Sequence, residues 1–439
     1  MIQKKRIYLL LLSCLFLMTN ISLAQQTKRK ISVEELFSLV KENHPNLAVS
    51  KQDVYLAEQN LEIAKTSVLP TVNAGLQASY IGDGQILDKD LSKVKQVDMP
   101  HFGNTFSLDA TQLIWKGGVV RNGIKVSSLQ EQLSKLSYKS DEQNIKLLVL
   151  GYYLDLYKII NQKEVYKFNI DLAEKRLDNI KKFYSQGMIT RNDLIRGELQ
   201  ISNLNLALQV AENNRQILNK QLTTALGLDE ETQIVPDQEI LNQNIKVADI
   251  DFYKANASKN PNVLMSQKAI DIYETSEKIA KSDRMPALSA FAGNKLARPI
   301  TTSSPAIDMY SNSWSAGLSL NFNIDALYKA PRKIKLAQMQ KHKAVLASQQ
   351  VEQMVDVAIQ AAYIKYNEAL TQNNTLAKNK VLADENYRIM ESKYNNQFAI
   401  LLDLIDASNQ KLDASLQFAN SEISIIYAYY KLMKESGNL

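Results

Sequence analysis

The chain has 439 residues, a formal charge of +6, 45% hydrophobic and 22% charged residues, an ordinary globular balance with length for a large core or several layers. Three of its cations, Lys4, Lys5 and Arg6, precede the apolar run IYLLLLSCLFLM, and without them the surplus is only three. That is too little to argue for nucleic acid, and no basic run with interleaved aromatics follows, so nucleic acid is excluded as a partner.

Residues 1–24 read as a signal peptide, because the basic start and apolar run are followed by Ser22-Leu23-Ala24, small residues at the spacing a signal peptidase reads. The mature chain then begins near Gln25 and is exported. The single cysteine, Cys14, lies inside this segment, so disulfides and thiol chemistry are not expected afterwards. Read as a lipoprotein site, Leu-Leu-Ser-Cys fits poorly, since apolar Leu-Phe-Leu-Met follows it. No later stretch approaches the roughly 20 apolar residues of a spanning helix.

The rest of the chain is written twice. HPNLAVS at 44–50 is echoed by NPNVLMS at 260–266, and IAKTSVLPTV at 63–72 by IAKSDRMPAL at 279–288, both at an offset of 216. Further on the offset is 210: YSQGMITRNDLI at 184 faces YNNQFAILLDLI at 394, and the helix end at Gly227 faces Gly437. A period this long marks a duplicated half rather than a solenoid. The halves are 44–227 and 260–437, flanked by segments 25–43 and 228–259.

Each half opens on a helix with Pro45 or Pro261 at its favoured first position, ended by Pro70 or Pro286. Two segments of alternating character follow in each, predicting strands at about 71–81 and 104–115, then 287–296 and 312–325. Alternation alone favours half of a soluble sandwich. Two features argue instead for a membrane: a polar face that is small and uncharged apart from Asp109, and aromatics near segment ends, Tyr80, Phe102, Phe106, Trp115, Tyr310 and Trp314, where girdles form. The length also matches the roughly 9 to 11 residues of a tilted spanning strand. Four strands do not close a barrel, so a membrane reading requires an oligomer sharing one.

Proline-free stretches come next, about 60 residues of helix in each half at about 1.5 Å per residue. Each returns through a short break, giving long hairpins at 119–226 and 333–436, with glycine caps at Gly227 and Gly437. Their thinly spread apolar residues bury only a stripe, which suits the wall of a larger assembly.

In this duplicated plan the sequence resembles the TolC family of outer membrane factors. The most specific match is KYNNQFAILLDLIDASNQKL at 393–412, followed by YSQGMITRNDLIRGEL at 184–199. The resemblance implies a mainly α chain with a small β part, and a homotrimer that joins an α-barrel tunnel to a shared twelve-stranded outer-membrane β-barrel. Segments 25–43 and 228–259 would form a belt around the tunnel. The function implied is a passive exit duct, not an enzyme and without cofactors, in outer membrane lipid. Its partners would be a periplasmic adaptor and an inner-membrane transporter, proton-driven (RND) or ATP-driven (ABC).

The same resemblance implies a tip gate ringed by Asp403 and Asp406, with Tyr394 and Asp193 helping to hold it closed. Adaptor docking falls to the tips, Gly187 and Met188 in one and Gln397, Phe398 and Ala399 in the other. Where some members have arginine this chain has Ala399, and where glycine is common it has Gln397; Arg191 and Arg196 are the candidates for the missing arginine. Read without the family, Asp403 and Asp406 are a solvated helix face, and Asp193 is a first-turn residue that favours the helix dipole. Asp403 and Asp406 have no convergent His, Ser or Arg set for acid/base catalysis. His44, His101 and His342 are scattered, without metal-ligand spacing. The competing class is a soluble scaffold or adaptor built from helical hairpins.

Overall fold

A computed structural model of the protein describes residues 28–242, 247–303 and 305–439; the expected signal segment, with Cys14, lies outside the described residues. In chain order the elements are β1 (Lys28–Ile31), α1 (Val33–Asn43), α2 (Pro45–Lys65), β2 (Thr71–Tyr80), β3 (Gly84–Leu87), β4 (Lys93–Val97), β5 (Phe102–Trp115) and α3 (Val119–Ser185). The chain continues through α4 (Arg191–Leu226), β6 (Gln233–Pro236), α5 (Ile250–Ala255), α6 (Pro261–Ser282), β7 (Ala287–Arg298), β8 (Ser311–Asn321), α7 (Ala326–Asn395) and α8 (Leu401–Glu435). Among the described residues no helix is long and apolar enough to cross a membrane.

The chain divides into two compact units, and α3 and α7 contribute residues to both. One holds residues up to Lys51, Tyr138–Val263 and Glu352–Leu439. Its core gathers Leu36, Leu150, Leu154, Leu222, Ile234 and Ile426 around the fully buried Tyr153. Here β1 pairs in parallel with β6. Tyr153 fastens them, its hydroxyl donating to the Ile31 carbonyl at 2.7 Å and accepting from the Asp237 N–H at 2.8 Å. Burial, the largest influence on that hydroxyl, pushes its pKa up to about 12. Lys30 closes on the Asp237 carboxylate at 2.8 Å from the exposed side.

The other unit, Gln52–Ser137 with Leu264–Val351, carries an antiparallel sheet in the order β2-β5-β7-β8. Its register sets Leu76 against Phe106, Phe106 against Leu296, and Leu288 against Leu320. Residues opposite one another share a face, so these rows lie on one face across all four strands, apolar apart from Gln112 and Asn294 within it and Asn104, Arg298 and Asn312 toward the loop end. That face is bare: Leu76 is 81% exposed and Leu318 69%. Strands β2 and β8 have no second partner among the described residues, leaving both edges open.

Several details differ from the sequence reading. The opposite face is neither charged at Asp109 alone nor small throughout, because the register puts Lys295 there opposite Ser107 and Phe291 opposite Thr111. Glycines make the room: a Cβ at Gly293 would meet the Asp109 carboxylate at 2.7 Å, and one at Gly317 the Phe291 ring at 3.0 Å. The last strand stops at Asn321 rather than near 325. The second long helix starts at Ala326, not at 333, and holds Pro331 inside it. So near the helix start, proline forfeits one backbone bond, to the Leu327 carbonyl.

Of the aromatics expected at strand ends, Tyr80 ends β2 and stacks on His101, while Tyr310 precedes β8 and accepts a bond from Asn104. At the other end of the sheet, Trp115 closes β5 beside Leu288, past an irregularity at Leu113. Phe106 and Trp314 correct the expectation, lying several residues inside β5 and β8 because the strands extend beyond them.

Candidate functional site

The two hairpin tips are built alike. After α3, Gly187 takes φ +73°; after α7, Gln397 takes φ +64°. In one tip the Gly187 N–H donates to the Tyr184 carbonyl and Met188 to Phe183; in the other Gln397 donates to Tyr394 and Phe398 to Lys393. These are Schellman turns, in which a left-handed residue lets the last carbonyls find donors. Gly187 and Gln397 are 210 residues apart, so the missing glycine falls on the position whose backbone favours one.

The returning helices start differently. At α4, Thr190 and Asp193 form a capping box, with the Thr190 N–H donating to Asp193 Oδ2 at 3.0 Å and the Asp193 N–H to Thr190 Oγ1 at 3.4 Å. At α8 the corresponding pair is Ile400 and Asp403. Only half the box forms, the Ile400 N–H donating to Asp403 Oδ2 at 3.4 Å, because isoleucine has no side-chain acceptor. Asp406, one turn on, is exposed and accepts from Gln410 at 2.8 Å.

Between the tips lies a cleft of about 310 Å³ lined by Met188, Asp193, Tyr394, Gln397 and Ala399, among others. Tyr394 is half-buried, and its hydroxyl is shut away without a hydrogen-bond partner. Burial first, and the Asp193 charge second, hold its pKa above the usual tyrosine value. The structure thus brings Tyr394 and Asp193 to one cleft without a hydrogen bond between them. Gly187 and Phe398 lie outside that lining, Phe398 at the exposed tip.

Neither candidate for the missing arginine pairs with a carboxylate among the described residues. Arg191 is exposed at the start of α4, and Arg196 lines a separate groove with Tyr166, Gln200 and Ile405. The cation joining the hairpins is one the sequence reading missed. Arg176 of α3 donates to the Tyr387 hydroxyl of α7 at 3.1 Å, and that hydroxyl donates to Glu391 at 2.7 Å. Lys411 of α8 lies 4.5 Å above the Tyr387 ring and reaches Asp384 at 3.7 Å. Tyr387 and Tyr394 are seven residues apart on one helix, a two-turn spacing that marks a shared face; nothing as local points to Arg176.

A second knot ties α3 to α4. Glu212 takes a forked bond from Arg215, 2.7 and 3.1 Å, and also closes on Lys163. Chiefly because of Arg215, its carboxyl is held down at about 2.

Comparison with known proteins settles what kind of chain this is. The model of the family described as outer membrane efflux protein matches residues 36–228 and 253–438, one block in each half. The chain belongs to the outer membrane efflux protein family. Membership places it among outer membrane channels rather than enzymes. Among curated relatives it is similar to the outer membrane efflux protein BepC of Brucella suis, 19% identical with 92% of this chain and 85% of that one covered. It is also similar to TolC of Escherichia coli, 18% identical with 92% and 82% covered. Solved structures share the fold: a membrane protein from Pseudomonas aeruginosa has a TM-score of 0.76 at 15% identity, covering 92% of this chain and 90% of that one. The outer membrane protein VceC from Vibrio cholerae has a TM-score of 0.75 at 12% identity, covering 92% and 96%. The fold is therefore shared with few identical residues, and side chains at the tips must be read from this chain itself.

Proposed function

We propose that three copies of the chain close their sheets into one twelve-stranded outer-membrane barrel and range their hairpins into a periplasmic tunnel. The assembly is a passive exit duct for a tripartite efflux pump or type I secretion system, moving small molecules or proteins. The observation that carries this reading is the sheet in the second unit, apolar and bare on one face and unpaired at both edges. Open edges are not tolerated in lipid, because each unpaired N–H and C=O there costs several kcal/mol, so the edges call for further copies and the bare face calls for lipid. A soluble hairpin scaffold accounts for neither.

In this reading the tips are the gate. Asp403 and Asp406 ring the narrow end, the Arg176–Tyr387–Glu391 chain and the Tyr394–Asp193 cleft hold it shut, and Met188, Gln397 and Phe398 meet a periplasmic adaptor. The energy comes from an inner-membrane RND or ABC transporter. Outer-membrane extract run unheated and heated on a denaturing gel tests the assembly. A band at three times the chain mass, collapsing on heating, is expected, and Leu318→Lys should abolish both it and outer-membrane recovery. A soluble monomer, or Leu318→Lys without effect, overturns the reading.

A further inference from the structure

All four strands of the sheet meet helices at the same end, where Thr71 and Ala287 open β2 and β7, and Trp115 and Asn321 close β5 and β8. Three segments at that end, 116–125, 278–284 and 325–335, carry ten Lys and Arg against two Asp. The excess of eight is larger than the +6 of the whole chain. The loops at the opposite end, 81–101 and 299–310, carry three Lys against five Asp. The charge is therefore sorted along the strands, which a merely solubilising surface does not require.

Part of the excess is neutralised. Lys278 and Lys281 reach Glu274 and Glu277 at 3.0 and 2.7 Å, Lys333 reaches Asp283 at 3.2 Å, and Lys329 reaches Asp325 at 2.7 Å. Arg121, Lys125, Arg284, Arg332 and Lys335 have no carboxylate within ion-pair distance among the described residues. The cations are gathered around two clefts. One, of about 550 Å³, is lined by Arg121, Asn122, Lys125, Lys278, Lys281 and Gly117. The other, of about 520 Å³, shares Lys281 and adds Arg284 and Lys335 beside Pro331. No Asp or Glu lines either.

Their place decides the ligand. The bare apolar face ends here in Trp115, whose amphipathic ring suits the headgroup level of a bilayer, and Lys116 and Arg121 follow within two turns. Lipid phosphates lie at that level, and basic clefts between helices take them up. We propose that the two clefts bind the phosphates of anionic lipid headgroups in the leaflet on the helical side of the sheet. The assignment rests on the membrane reading above, and it fixes how deep the sheet sits as well as which lipid surrounds it.

The test reconstitutes the purified full-length protein into vesicles of phosphatidylcholine containing a minor fraction of phosphatidylglycerol, then extracts it gently and weighs the retained lipids by mass spectrometry. Wild type should retain phosphatidylglycerol in excess of its bulk share. Arg121→Gln, Lys125→Gln, Arg284→Gln and Lys335→Gln together should lower that excess by about fivefold or more, the effect of even one cation at a charged membrane surface. The same number of changes near the tips, Lys175, Lys181, Lys182 and Lys393 to Gln, should leave it intact. If the fourfold variant fails to assemble, the pairs Arg121/Lys125 and Arg284/Lys335 read one cleft each. Undiminished excess in the cleft variants, or equal loss in the tip variant, overturns the proposal. So does inorganic phosphate that displaces phosphatidylglycerol mole for mole, which would make these small-anion sites. Conductance in pure phosphatidylcholine tests the channel reading by itself: a pore without lipid preference sinks only this inference, whereas no pore sinks both.

Discussion

Ile400 stands where the other half of the repeat has Thr190, and that exchange alone removes a side-chain acceptor from the start of α8. With Thr190 the first-turn N–H groups of α4 are answered from both directions; with Ile400 only Asp403 answers, at 3.4 Å. Ile400→Thr should therefore complete the box and stabilise this helix end by about 1 kcal/mol, the usual worth of an N-cap hydroxyl. Amide exchange at Leu402 and Asp403 slowed about fivefold is the expected readout, and unchanged exchange would mean that neighbouring copies already order the tip. The capping arrangement also sharpens the two readings of Asp193 in the sequence. It is a cap and it faces the Tyr394 cleft, so replacing it changes helix start and cleft charge together.

At the scale of elements, the hairpins are held by two polar knots on helices whose apolar stripes are thin. In the Glu212 knot the carboxyl is held at about 2 in the folded protein, below its ordinary value of 4.5. The stabilisation is thus complete above about pH 4.5 and is lost as pH falls toward 2. Thermal unfolding followed between pH 6 and 2.5 should show this decline, and Glu212→Gln should lower the melting temperature at pH 6 while flattening the decline. A variant as steep as wild type would remove Glu212 from the account. The Arg176–Tyr387–Glu391 chain joins the hairpins, and Tyr387→Phe takes away the hydroxyl that serves both charged partners, at a cost of about 2 kcal/mol. Faster amide exchange around 383–394, with the Tyr153 region unchanged, is expected; equal exchange would mean the knot closes nothing. How much of this could be read beforehand follows from sequence distance. The tips were legible because the duplication puts Gly187 over Gln397 and Asp193 over Asp403 at one offset. The strands were legible because alternation is local and the register keeps it. Arg176 and Tyr387 come from different halves, at positions that do not correspond, and no local pattern links them. The start expected at 333 was late because Pro331, so near a helix start, costs little inside it.

At the scale of the whole molecule, Asp403 and Asp406 change meaning when three chains are assembled. In one chain Asp403 caps a helix and Asp406 holds Gln410, ordinary tasks for an exposed carboxylate. In the trimer proposed above they would become six carboxylates at one constriction, and a like pair about 7 Å apart would repel by roughly 0.6 kcal/mol in water. Such a ring draws in cations, and multivalent ones hold it most firmly. The first repeat would not double the effect, because Asp193 corresponds to Asp403 but Arg196 to Asp406, so its pair is net neutral. The substitution that tests it must remove charge and keep the cap. Asn at 403 retains an oxygen that accepts from the Ile400 N–H, whereas Ala would loosen the helix start as well. Asp403→Asn with Asp406→Asn should therefore leave assembly and closed-state conductance near wild type while weakening block by a trivalent cation at least about tenfold in single-channel recordings, as expected when a charged ring is neutralised. Block of undiminished strength would place the cation site elsewhere and return both aspartates to the solvated face of α8.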